Sequence, residues 1–502
     1  MFQFNKAAEV VEQLARKDAS TRMTDKQFIV AEINRFRRSQ RYLDMVAGEN
    51  YYKGKHDILF KQRTAIGENG KLMILDNLPN NKIVDNQYKK QVDQKVQYIV
   101  GQPFLFVSEN QQFVDSVKPY LLTKKFFKFI KAVMKDAVNG GIGWVYPHYN
   151  ESGDYVFTRF KPYEIIPMWA DAEHTVLDCA IRTYEVVVHE GTEEKVATKV
   201  EIFNPDGIYY FELKDENLIA EAPFFEPYFT VFNDDGTKHD YEWDRIPLIP
   251  FRCNEEETSL ISRCKSMQDG LNKIESQWQD QMEEDPRNTI MVLVNYDGQN
   301  LGEFRQNLAQ YGAVKVRSSD GANGDVKTLQ IQVNAENYKA IIEQFKKAIV
   351  ENCMGYDAKD DRIGSNANEM NLKSMYSDIE LEANAMETEL QAAFEELMWF
   401  LKCHLANIHV GDFELEEYEI IFNRDIMISE ADVINNIKNS MEILSDETLI
   451  AQHPWVDDPE AELERLKKQK EEEIDLYGGQ FGQNPQNDQI KTENDQIEKE
   501  KP

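Results

Sequence analysis

Between Ser259 and Glu284 the chain reads SLISRCKSMQDGLNKIESQWQDQMEE, in which Cys264, Met267, Leu271, Ile274, Trp278 and Met282 recur in steps of three and four. That spacing lays them along one stripe of a helix. A second stretch, AENYKAIIEQFKKAIVEN from Ala335 to Asn352, repeats the stripe with Tyr338, Ile341, Ile342, Phe345, Ala348 and Ile349. Between the two lie a strand-like run (Thr289 to Val294), a short helical run (Leu301 to Tyr311) and two more strand-like runs (Ala313 to Val316, Val326 to Val333). A small α/β unit inserted at the tip of a helical hairpin is displayed on a stalk. A lone hairpin cannot bury its stripes, so this one needs neighbours, most simply copies of itself.

Working outward, residues 1 to about 45 read as helical and charged, with Arg35, Arg37, Arg38 and Arg41 close together. Lys82 to Val100 is a predicted helix stopped at Gly101-Gln102-Pro103, and Phe126 to Val138 another, closed by Asn139-Gly140-Gly141. A β-rich stretch follows, from Trp144 to Phe251, with strand patterns at Tyr155–Arg159, Cys179–His189, Ala197–Phe203, Ile208–Leu213 and Tyr228–Phe232. Past the second hairpin helix, Met354 to Asn368 is polar and contains Gly355 and Gly364. Asn368 to Leu405 then reads as one long helix whose last turns (Phe394, Met398, Trp399, Phe400, Leu401) are apolar nearly all round, as in a buried helix. Glu430 to Leu466 is helical again. Beyond Gly478 the composition falls to Gly, Gln, Asn, Asp, Glu and Lys, too polar to order itself. The fold class is α+β, mostly antiparallel in its sheets.

The 502 residues carry 57 Lys+Arg against 89 Asp+Glu, a formal charge of −32. That balance argues against a chain that grips nucleic acid by neutralising phosphates. Cys179, Cys253, Cys264, Cys353 and Cys403 lie far apart without a C-x-x-C pair, so neither a disulfide framework nor a structural zinc is expected, and a reducing compartment fits. The first residues lack the apolar core of a secretory signal, and no apolar run approaches the roughly 18 residues needed to span a membrane. Gly54-Lys55 and Gly70-Lys71 lack the surroundings of a phosphate loop. Cys403, His404 and His409 do not stack on one helical face as metal ligands would. Asp357, Asp360 and Asp361 could hold Mg²⁺ in a nuclease, but Lys359 and Arg362 interleave them, and a solvated loop is the better reading. No catalytic constellation emerges, and no cofactor or metal is expected.

Five segments carry a resemblance. They are Gly48-Glu49-Asn50-Tyr51-Tyr52-Lys53-Gly54; then Asn80-Asn81-Lys82-Ile83 with Val92-Asp93-Gln94-Lys95-Val96 and Gly101-Gln102-Pro103; then Arg245-Ile246-Pro247-Leu248-Ile249-Pro250-Phe251; then Val294-Asn295-Tyr296-Asp297-Gly298; and Ser445-Asp446-Glu447-Thr448 through Asp457-Asp458-Pro459-Glu460-Ala461-Glu462-Leu463. In this order, from about Arg37 to Leu466, the chain resembles the portal proteins of tailed phages, of the type found in long-tailed phages of Gram-positive hosts. The resemblance implies a portal fold: an N-terminal wing (1–258, β-rich 144–251), a stem helix (259–285), an α/β clip (286–333), a second stem helix (334–352), a tunnel loop (353–369), a long helix with wing return (370–425), a helical crown (426–470) and a polar acidic tail (471–502). It implies a ring of twelve copies around a channel at one capsid vertex, through which double-stranded DNA is packaged, retained and ejected. It also implies docking of the terminase large subunit and later a head-completion protein, a setting among major capsid and scaffolding proteins, assembly in the host cytoplasm, no membrane and no enzymatic step.

Site residues follow from the resemblance. Asp357, Lys359, Asp360, Asp361, Arg362 and Asn366 would face DNA from the tunnel loop. Lys315, Arg317 and Lys327 would mark the clip's docking surface, and Met267, Leu271, Ile274, Trp278, Ile342 and Phe345 the stem interface. An acidic channel repels the duplex and keeps sliding friction low. Two other readings are a Mg²⁺-dependent DNA-processing enzyme and a non-portal structural or scaffolding protein; the missing carboxylate constellation counts against the first and the β-rich stretch against the second. A chain truncated after Gly479 is expected to form the same assemblies and melt at nearly the same temperature by scanning calorimetry. A loss of several degrees would show that the tail packs.

Overall fold

A computed structural model describes residues 23–66, 71–76, 78–190, 193–232, 237–284, 290–294, 318–319, 322–323, 325–329, 335–357, 369–424, 434, 437–441, 443–451, 453, 456 and 462–469. Two compact units divide the chain, Met1–Ala358 with Met375–Asp425, and Lys359–Ser374 with Ile426–Pro502.

In the first unit, the charged N-terminal stretch forms two helices, α1 (Met23–Arg37) and α2 (Gln40–Tyr52). Ser39 separates them: its backbone is extended and its hydroxyl accepts from Tyr42 N at 3.2 Å, capping α2. Next come α3 (Gln87–Val100), α4 (Gln111–Leu121) and α5 (Lys124–Gly140). Five antiparallel strands build a meander in the order Asn217–Glu226, Gly207–Lys214, Glu193–Asn204, Leu177–Glu190, Ile165–Trp169. Alternation along them turns Cys179, Ile181, Val200, Ile202 and Phe211 to one face, where Ile29, Val30 and Ile33 of α1 cover them. A three-stranded sheet (Ile249–Arg252, Ile142–Tyr149, Tyr155–Phe160) lies against α5. Strand patterning located three of the meander's five strands; Ile165–Trp169, which is short and holds a proline, was missed, as was Asn217–Glu226.

The stalk helices are α6 (Ile261–Glu284) and α7 (Ala335–Asn352). They pack on each other: Leu271 is fully buried, Trp278 stacks on Tyr338 with ring centroids 5.9 Å apart, and Phe345 fits against Gly270, where a Cβ would come within 2.9 Å of the ring. At the tip, Ile290–Val294 pairs antiparallel with Asp325–Leu329. The expected helix at 301–311 and strand at 313–316 lie outside the described residues. The long helix is α8 (Glu369–Asn407). Its final turns are enclosed as their composition requires: Phe394, Leu397, Met398, Phe400 and Leu401 are all buried, with Phe394 ringed by Phe104, Phe126, Phe251 and Phe422.

The helix expected from Lys82 begins only at Gln87. Residues 81–86 form neither helix nor strand, and alternate amides along them are claimed by a polar row on α6. Asn81 N donates to Asp280 Oδ1 (2.6 Å), Ile83 N to Ser276 Oγ (3.0 Å), Asp85 N to Asn272 Oδ1 (3.1 Å) and Tyr88 N to Gln268 Oε1 (3.0 Å). Residues two apart on an extended chain are separated by about 6.6 Å, and residues four apart on a helix by about 6.0 Å, so the rungs match. Asn272 closes the network: its Nδ2 donates to Nδ1 of buried His56 (2.8 Å), whose Nε2 donates to Tyr51 O (3.1 Å). His56 is therefore the neutral Nε2–H tautomer, and burial holds its pKa below the usual histidine value.

In the second unit, α9 (Asp446–Ala451) starts at Ser445, whose hydroxyl accepts from Thr448 N at 3.3 Å. The 471–502 tail lies outside the described residues.

Replacing Asn272 with Leu keeps the volume and strands Asp85 N–H and His56 Nδ1 without partners. We expect a loss of about 3 kcal/mol in chemical denaturation at fixed protein concentration, whereas Lys273→Ala on the exposed face should stay within about 0.5 kcal/mol. Equal, small losses for both would mean that the polar row does not hold the segment.

Candidate functional site

The stalk is joined to the wing through Glu257, four residues ahead of α6. Its carboxylate is almost wholly buried and meets two guanidinium groups and an imidazole: Arg41 in a short ion pair, Arg252 Nε at 3.0 Å and His174 Nδ1 at 3.0 Å. Burial alone would raise this carboxyl, but Arg41, His174 and Arg252 outweigh it and hold the pKa below the usual glutamate value. Gly141, at φ +85°, makes the close approach possible, since a Cβ there would lie 2.1 Å from Glu257 O.

At the other end of the stalk, α7 closes with the return hydrogen bond Gly355 N to Val350 O (2.9 Å), Met354 taking φ +48°. The chain then lies on one face of α3. Gly355 is buried so closely that a Cβ would sit 1.8 Å from Gln91 Oε1. Gly355, expected to belong to a tunnel loop over 353–369, is packed against α3, and residues 354 to 356 are fastened down. Gln94 Nε2 donates to Tyr356 O (3.1 Å), and Lys95 Nζ to Met354 O (3.4 Å). Lys95 is 2% exposed and also pairs with Glu382 Oε2 of α8 at 3.0 Å, which in turn holds Arg263 of α6 at 2.9 Å. Burial pulls the Lys95 ammonium below its usual pKa, and Glu382 opposes the pull.

Of the loop residues singled out from sequence, Asp357 is half-exposed and stands 3.9 Å from Lys90. Lys359, Asp360, Asp361, Arg362 and Asn366 lie outside the described residues, as do Lys315 and Arg317 of the clip. Lys327 sits on the tip strand directly opposite Val292. Within the stalk, Leu271 and Ile342 are buried, and Met267, Ile274, Trp278 and Phe345 half-buried, while Met282 at the end of the stripe is 53% exposed.

The stalk's basic residues divide. Lys346 bonds Asp85 (2.6 Å), Lys265 bonds Asp57 (2.6 Å) and Asp269 (2.8 Å), and Arg263 bonds Glu382, all inside one chain. Lys347 is exposed and only 3.8 Å from Glu351 on its own helix. Apolar periodicity missed the polar row Gln268, Asn272, Ser276 and Asp280, although its steps of four were in plain view. Glu257 and Lys95 carried no signal, because only the fold brings their partners to them. Among the described residues no group of three or more His, Cys, Asp or Glu is placed to hold a metal ion, and no helix is long and apolar enough to cross a membrane.

Residues 37–476 match the family described as "Phage portal protein, SPP1 Gp6-like". The portal protein of Bacillus phage SPP1 is 27% identical over 441 residues, covering 86% of this chain and 85% of that protein. The portal protein of Clostridium phage phiCD119 is 26% identical over 433 residues, covering 84% and 91%. Among solved structures, a chain from the neck of an empty gene transfer agent particle overlaps 73% of this chain and 90% of its own length at 11% identity. Its TM-score of 0.41 is too loose to fix the fold by itself.

Because the folded Glu257 pKa is depressed, its contribution to stability is complete above about pH 4.5, the ordinary glutamate value, and is lost as pH falls through the lower folded value. Glu257→Gln should therefore melt well below the wild type at about pH 7, with the gap narrowing at about pH 3. A gap independent of pH would show that the carboxylate's charge is not what holds the junction.

Proposed function

This chain belongs to the SPP1 Gp6-like family of phage portal proteins, and on that footing we propose that it closes into a ring of twelve subunits. Through that ring double-stranded DNA enters, is held in and leaves one vertex of a phage head. The family match over residues 37–476 carries the reading. Portal proteins are virion components at the head vertex and act structurally. Twelve is the family's number; a heterologous interface that closes satisfies every copy equally, whatever the count.

In this reading residues 1–258 and 370–425 make the wing, 259–285 and 334–352 the stem, 286–333 the clip, 353–369 the tunnel loop and 426–470 the crown. The clip, with Lys315, Arg317 and Lys327, receives the terminase large subunit during packaging and a head-completion protein afterwards, while the wing and crown meet capsid and scaffolding proteins. ATP is consumed by the terminase. The stem residues Met267, Leu271, Ile274, Trp278, Ile342 and Phe345 pair the two helices first and face neighbours only where they stay exposed. Assembly takes place in the host cytoplasm.

Lys359 and Arg362 attract phosphate from the tunnel loop, while Asp357, Asp360 and Asp361 keep the contact weak, and Asn366 adds a neutral donor. Tight binding would stall a moving polyanion, and each neutralised phosphate steepens the salt dependence. Replacing Lys359 and Arg362 together with Glu should leave rings intact and stability within about 0.5 kcal/mol. It should also reduce nuclease-protected DNA per particle. Normal packaging by this variant would mean that the two charges do not act on DNA.

A further inference from the structure

The row Gln91, Gln94, Lys95 and Tyr98 occupies one face of α3, at steps of three and four. It touches the chain on both sides of the candidate DNA-facing segment. Ahead of that segment, Lys95 Nζ and Gln94 Nε2 donate to the backbone oxygens of Met354 and Tyr356 (3.4 and 3.1 Å), and Gly355 is pressed against Gln91. Behind it, Lys95 pairs with Glu382 of α8 at 3.0 Å, and the Tyr98 hydroxyl bonds Glu380. One buried ammonium thus bridges the two flanks. The side-chain amide of Gln91 is buried with neither its nitrogen nor its oxygen paired, and Gln94 Oε1 is likewise unpaired. A leucine would fill that volume without leaving polar atoms unmatched, so packing alone does not account for an amide there.

We propose that Gln91, Gln94 and Lys95 are positioning residues for the tunnel loop. They clamp Met354–Tyr356 and Glu382 to one face of α3, and so fix the described chain on either side of that segment. The inference rests on the reading of that segment as DNA-facing; the clamp itself can be tested without DNA. α3 is also the helix whose first turn is tied to the stem by Tyr88 N and Gln268 Oε1.

Two variants release the clamp by unrelated means. Lys95→Met removes the bridging charge and leaves Glu382 paired with Arg263, so the chain should still fold. Gly355→Ala changes no charge, but its Cβ would collide with Gln91 Oε1, so the Gln91 side chain must give up its place against the flank. In assembled full-length rings, amides of residues 354–357 should exchange with deuterium about tenfold faster in both variants, as expected for the loss of one or two buried hydrogen bonds. Both should also package less nuclease-protected DNA. Unchanged exchange in Gly355→Ala rings, or in Lys95→Met rings, would overturn the clamp. Faster exchange with normal packaging in both would leave the clamp standing and overturn the DNA-facing reading of the loop.

Discussion

The hydrogen bonds between segment 81–86 and the polar row of α6 are the constraint from which the rest of the arrangement follows. An extended chain has amides to satisfy at every second residue on one side, and without a sheet partner they must find acceptors elsewhere. The helix supplies them at every fourth residue. The two repeats differ by roughly 0.6 Å per rung, so the register can hold for only a few rungs before drifting apart. It runs from Asp280 to Asn272, and the chain then turns helical at Asn86, whose side chain caps Lys89 N at 2.8 Å. The same row fastens Lys61 to Asp280 and His56 to Asn272, which ties α2, segment 81–86 and α3 to one stalk helix.

From that junction the order propagates through few, strong contacts. Glu257 gathers Arg41 of α2, His174 and Arg252 just ahead of α6. Lys95 and Glu382 link α3 to α8, and Arg263 links α8 back to α6. Each of these charges is buried or half-buried and each is paired, as a low-dielectric setting requires, because removing one partner leaves the other uncompensated. The stalk is thus held by polar contacts at its base and down one face of α6, and by apolar ones between α6 and α7.

Much of this was legible in the residues. The apolar steps located α6, α7 and α8 within about two residues, and alternation found most strands of the meander. The portal resemblance, drawn from five short segments, agrees with the family match over residues 37–476. What the residues concealed was long-range and polar. Lys82 to Asn86 looked like the start of a helix because nothing nearby says that α6, almost two hundred residues away, will take its amides. Nothing in the polar stretch after α7 told that the lack of a side chain at Gly355 serves packing against Gln91. Nothing along the sequence pairs Lys346 with Asp85 or Lys265 with Asp57, yet the fold neutralises both lysines within the chain. Periodicity reports which face of an element is buried; it does not report a carboxylate brought in from another element.

For a ring-forming channel this arrangement has a mechanical consequence. A stalk in which Lys265, Lys346 and Arg263 are neutralised within the chain adds little positive charge to a chain that is already at −32, which suits a conduit along which the duplex must slide. Cryo-electron microscopy of the purified full-length protein tests this account most directly. The expected result is a closed ring with a central channel, in which segment 81–86 lies along α6 in every subunit and α6 and α7 pair within one chain. Open or non-closing assemblies, or a ring whose 81–86 segment stands away from α6, would contradict it.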